Sequence, residues 1–142
     1  MRYIFFLLFS LHTFATESNN KPLTCFANHL DTNEEVEVKV TSAISTKQIA
    51  TAQWPLGYPT IAINDSDFIK LPKNARQFIF YHECAHLKYR TKDEYKADCK
   101  SVDLMKEKHQ IKEIDVRKLV RTLNHELGMS HRWRDLLECG ID

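Results

Sequence analysis

The chain has 142 residues, 43% of them hydrophobic, and carries 20 Lys and Arg against 19 Asp and Glu for a net charge of +1. That length suits one domain with one modest core. The near balance of charge gives no electrostatic reason to expect nucleic acid or an anionic membrane as partner.

Residues 1–15 open with Arg2, continue as an apolar run from Tyr3 to Leu11 and reach small residues at Thr13 and Ala15. This is the layout of a secretory signal peptide cut after Ala15 or Thr16, and the run is too short for a permanent bilayer span. The expectation is therefore a single domain over 16–142, exported to the periplasm or beyond, with no stable membrane span once the signal is gone. Four cysteines, Cys25, Cys84, Cys99 and Cys139, contain no C-x-x-C pair and read as disulfides of an oxidising compartment. Three pairings are possible. The expected one joins Cys84 to Cys99 across a helical hairpin and Cys25 to Cys139 across the ends of the domain.

After a polar stretch at Ser18 to Lys21, Leu23 to Leu30 and Val36 to Ile44 read as strands joined over Asp31-Thr32-Asn33, with Val36, Val38 and Val40 alternating with charged residues. A third strand covers Lys47 to Trp54. Pro55 to Pro59 is a turn, and Pro59 to Asn64 is a short apolar strand ended by Asp65-Ser66-Asp67. The first half is thus a small, antiparallel sheet. Helices follow at Pro72 to Tyr89, Lys92 to Lys108, Asp115 to Leu127 and Ser130 to Glu138, started by Pro72, Asp115 and Ser130. The fold class is α+β, with Ile61, Ile63, Trp54, Phe78 and Phe80 assigned to the core.

The first of these helices carries His82-Glu83-Cys84-Ala85-His86. Positions four apart share a helical face, so His82 and His86 can present ring nitrogens to one ion, with Glu83 beside them. A catalytic zinc takes three protein ligands and a water. If the two helices form an antiparallel hairpin turning near Arg90, His86 and Glu94 stand level, four residues either side, and so do His82 and Asp98, eight either side. Glu94 is then the third ligand, and Asp98 accepts the proton of the His82 ring nitrogen that faces away from the ion. Ala97, between them, lets the helices approach. A plainer explanation exists for Glu94: Thr91-x-x-Glu94 has the spacing of a capping box, in which the glutamate serves the helix start.

HECAH followed by EYKAD resembles the gluzincin branch of the zincin metallopeptidases, and the layout of residues 59–100 is similar to small exported bacterial zincin-like proteins. The resemblance implies a minimal zincin with one zinc on His82, His86 and Glu94, Glu83 as general base, and Asp98 supporting a ligand histidine. Larger gluzincins separate the two motifs by much more sequence. The implied activity is zinc-dependent hydrolysis of a peptide or protein substrate, with Glu83 taking a proton from water and passing it to the leaving amine.

An oxyanion donor is also needed, and His131, ahead of His125 and Arg134, is the residue assigned to that catalytic role. His125 puts its next histidine six positions on, off its own helical face, and His29 and His109 receive no role. The Pro59 to Asn64 strand is assigned as the sheet edge for an extended substrate. The alternative function is a catalytically silent zinc-binding or interaction module of the cell envelope; a purely structural zinc domain is a further one, against which Glu83 would have no purpose.

Overall fold

The computed structural model describes residues 21–43 and 47–139. The expected signal segment and the far end of the second strand, at Ile44, lie outside the described residues. The layout is α+β: a two-stranded antiparallel ribbon and a three-stranded mixed sheet precede the helices.

The segment expected as one strand from Val36 divides at Val38. Strand β1 (Phe26–Asn28) pairs antiparallel with β2 (Glu35–Glu37), whereas β3 (Lys39–Ser42) leaves that ribbon to run parallel to a strand of the second sheet. Val38 is the joint: it is buried, and its N–H donates to the Cys25 carbonyl. Strand β4 (Ala50–Gln53) lies antiparallel to β5 (Thr60–Ile63), and the order is β3-β5-β4.

Strand β5 is therefore central, with both of its edges paired, and the expectation that it offers a free edge to substrate is corrected. All four of its residues are buried, as a short apolar run flanked on both sides should be. The outer edge on the helix side belongs to β4.

One turn of helix, α1 (Asp65–Phe68), leads into α2 (Lys73–Lys88), whose inner face places Phe78, Phe80, Tyr81 and Leu87 in the core. Arg90 takes φ of 48° and turns the chain into α3 (Glu94–His109), which packs against α2 over Ala97, itself fully buried. Ser101 Oγ donates to the Phe78 carbonyl at 2.8 Å across the same seam. The Arg90 guanidinium bonds the His29 carbonyl and Asn33 Oδ1, which ties the hairpin turn to the β1–β2 loop. That loop is organised by His29, whose Nδ1 accepts from the N–H groups of Asp31 and Thr32.

Helix α4 (Glu113–Leu127) opens with Asp115 accepting from Lys112 N–H. It is followed by α5 (Ser130–Arg134) and a 3-10 turn at Asp135–Glu138.

Two disulfides are present, Cys25–Cys84 and Cys99–Cys139, in place of the expected pairing. The helix period explains the difference. Cys84 lies two residues, about 200°, around α2 from His82, so it points away from α3 and toward the β1 side. Cys99, one residue past the inward Asp98, turns toward the C-terminal segment instead. No helix among the described residues is long and apolar enough to cross a membrane.

Candidate metal centre

The hairpin register brings His82, His86 and Glu94 together. His82 Nε2 stands 3.0 Å from His86 Nε2 and 3.1 Å from Glu94 Oε2, and His86 Nε2 stands 3.3 Å from Glu94 Oε1. These three residues form a group that could hold a metal ion.

The other ring nitrogens decide what these atoms are. His86 Nδ1 is 2.7 Å from the Thr91 carbonyl, which can only accept, so Nδ1 carries the proton. His82 Nδ1 is 2.8 Å from Asp98 Oδ1. Burial pushes the Asp98 carboxyl up, but the adjacent His82 ring and the Arg132 hydrogen bonds outweigh it and hold the group below the ordinary carboxylate range. Asp98 is thus an anion set beside the His82 ring, although the Nδ1 hydrogen is not aligned on it and His82 Nδ1 makes no hydrogen bond of good geometry among the described residues. With Nδ1 as the protonated nitrogen of a neutral ring, each Nε2 can offer a lone pair to an ion, and the two face each other and a carboxylate. In that tautomer four electron-rich atoms stand at a spacing that a cation among them would relieve.

Glu94 is free for that duty because α3 is capped by its neighbour: Asp93 Oδ1 accepts from Lys96 N–H at 3.0 Å. Thr91 Oγ1 accepts from Asp93 N–H. The capping box between Thr91 and Glu94 is not formed, and the Glu94 side chain, 61% exposed, faces the histidines from the solvent side.

Glu83 lies beside the cluster, and its Oε2 accepts from Ala52 N–H on β4 at 2.8 Å. That contact uses the β4 edge turned away from β5. Burial raises the Glu83 pKa, against a lowering by His82, His86 and the Ala52 N–H. Two cavities meet at His82, Glu83 and Glu94. One, of about 330 Å³, is walled by Gln48, Thr51, Trp54 and Lys92; the other, of about 360 Å³, by Ile49, Ile79, Leu127, Met129 and Trp133. Trp54 is thus only partly a core residue: it packs against the core and also lines the first cavity.

Arg132 is the residue that the sequence reading missed. Its Nε and Nη2 bond Asp98 Oδ2 and Oδ1 at 2.8 and 2.9 Å, and Nη2 lies 3.3 Å from Glu94 Oε2. The guanidinium also rests over the Trp133 ring, 4.6 Å from its centroid. The Asp98 hydrogen bonds raise its own pKa further. His131, the neighbour assigned a catalytic role, is exposed on α5 and lies outside the lining of both cavities, and Arg134 and His125 are likewise exposed. Only the helical phase of α5, which turns position 132 inward, separates these outcomes, and that phase depended on where a five-residue helix began.

No protein-family model matches this chain, and no curated protein or solved structure matches it.

Proposed function

We propose that the protein is a zinc metallopeptidase of the gluzincin kind, exported to an oxidising compartment, with His82, His86 and Glu94 as the zinc ligands. The observation that carries this is the convergence of His82 Nε2, His86 Nε2 and the Glu94 carboxylate on one point, with the far ring nitrogens beside Asp98 and the Thr91 carbonyl. A tetrahedral ion with bonds of about 2.0–2.1 Å keeps its donors roughly 3.3–3.4 Å apart; the separations here are 3.0, 3.1 and 3.3 Å. Two imidazoles and a carboxylate form the donor set of a catalytic zinc with a place for water. The two disulfides agree with export.

Bound zinc would supply a Lewis acid that lowers the pKa of water and polarises a carbonyl oxygen. The chain's own residues do the rest. Glu83, its pKa raised by burial, takes a proton from the attacking water and returns it to the leaving amine nitrogen. Asp98 fixes the His82 ring and stabilises its ligand tautomer, and Arg132 holds Asp98 in place. An extended peptide would lie along the outer edge of β4, where main-chain hydrogen bonds give affinity without sequence preference.

Glu83→Gln tests the reading. The variant is expected to keep one zinc per chain and to lose peptide hydrolysis by about two to four orders of magnitude in kcat. Zinc binding by the native chain without cleavage of any member of a peptide library would instead favour the silent zinc-binding module.

A further inference from the structure

Glu83 is carried by α2, yet one of its two oxygens is held by the sheet. Strand β4 lies against β5 in a register that sets Ala50 opposite Ile63, Thr51 opposite Ala62, Ala52 opposite Ile61 and Gln53 opposite Thr60. One residue before the strand, the Ile49 carbonyl accepts from Asn64 N–H, which makes Ile49 and Asn64 a bonded pair of the same ladder. Bonded and unbonded pairs alternate along an antiparallel ladder. Thr51 and Gln53 therefore turn their N–H groups to β5, and Ala50 and Ala52 turn theirs to the outer edge. Ala50 is buried, whereas Ala52 is half-buried and lines the cavity walled by Trp54 and Lys92, beside His82 and Glu83.

That outward donor is taken by Glu83, whose Oε2 accepts from Ala52 N–H at 2.8 Å. Oε1 accepts no hydrogen bond among the described residues. A hydrogen bond to an ionised carboxylate is about twice as strong as one between neutral groups. Fixing one oxygen of a flexible side chain also fixes where the other can point, and removes rotamers that would otherwise be lost at the moment of reaction. The two histidines of the motif have anchors of their own, Asp98 beside His82 and the Thr91 carbonyl beside His86. Ala52 N–H is the corresponding anchor of the residue between them.

We propose that the main-chain N–H of Ala52 is a positioning group for Glu83. It holds Oε2 and leaves Oε1 as the oxygen that takes a proton from water and returns it to the leaving amine. This rests on the peptidase reading and adds to it the group that aims the base. It also bears on the substrate: a peptide on the β4 edge does not find a donor in Ala52 N–H and pairs with the Ala52 carbonyl instead, which the ladder turns to the same side.

Ala52→Pro removes the donor at a position where the ladder does not use it, the kind of edge site at which proline is tolerated. Its kcat for peptide hydrolysis is expected to fall about ten- to a hundredfold, with KM, zinc content and thermal midpoint little changed. Ala52→Gly keeps the N–H and is expected to restore kcat. Amide hydrogen exchange reads the bond without any substrate: in Glu83→Ala the Ala52 amide is expected to exchange about tenfold faster or more, while the Thr51 and Gln53 amides keep their native rates. Unchanged Ala52 exchange in Glu83→Ala, a native kcat in Ala52→Pro, or a rise in KM in place of the fall in kcat would overturn the proposal and leave the peptidase reading standing. Faster Ala52 exchange in Glu83→Ala, beside a native protein that cleaves no member of a peptide library, would remove the peptidase reading and this role of Ala52 with it.

Discussion

His82, His86, Glu94 and Asp98 all stand on one helical hairpin, α2 and α3, whereas the arginine that bonds two of them arrives from α5, 34 residues after Asp98. The hairpin half is set by local rules. A helix period places His82 over His86, and a tight turn at Arg90 sets which residues of α3 stand level with them. The α5 half is set by tertiary packing: Arg132 is brought in by Trp133, which is buried against Phe78, and by Cys139, bonded to Cys99 beside Asp98. Chemistry written on neighbouring turns survives small errors in element boundaries. Chemistry delivered by a distant short helix does not.

The comparison can be broken most severely at the disulfide that holds the α5 half. Replacing Cys99 and Cys139 together by Ala reopens a loop of sequence separation 40 and is expected to cost about 4 kcal/mol. Urea unfolding measures it. If the hairpin is the autonomous half, zinc affinity in the folded variant changes less than tenfold.

Asp98→Asn and Arg132→Gln sharpen the same contrast. Asp98→Asn removes the group that fixes the His82 tautomer, and zinc affinity should fall about 10–100-fold. Arg132→Gln keeps the carboxylate beside the His82 ring but leaves the nearly buried Asp98 anion without its cation. Because the Arg132 side chain is itself 28% exposed, the cost should be moderate, about 1–2 kcal/mol in denaturant unfolding, with a smaller change in zinc affinity than Asp98→Asn. Equal effects of the two variants on zinc would contradict the division of labour between the halves.

The smallest effect belongs to His109, at the far end of α3. Its folded pKa is depressed by burial and then by Lys73 and Lys21, so the folded state resists protonation. The stability this group contributes is complete above its unfolded pKa of about 6.5 and is lost as pH falls from there through the lower folded value. The native protein should therefore lose stability slightly faster than His109→Gln as pH drops below about 6.5, in paired thermal melts.

The sequence was legible where a rule of short range applied. The α+β class, the helices of the second half and the level pairing of His82 with Asp98 follow from periodicity and turn placement. Strand order did not follow: β5 is as short and apolar as an edge strand covered by a helix, and only the division of the second strand at Val38, which sends β3 to its far side, makes it central. Closeness in sequence does not give the cysteine pairing, because helical phase turns Cys84 and Cys99 away from each other. Arg132 left no local signal, since its partner Asp98 lies on another helix and its neighbours His131 and Arg134 are equally polar.

The central claim is that Glu94 completes a zinc site with His82 and His86, and zinc content after dialysis, measured by elemental analysis on the native protein and Glu94→Ala, tests it most directly. One zinc per chain in the native protein, held much more weakly in the variant, is the expected result. No zinc in the native protein, or equal retention in Glu94→Ala, would contradict the ligand set and with it the peptidase reading.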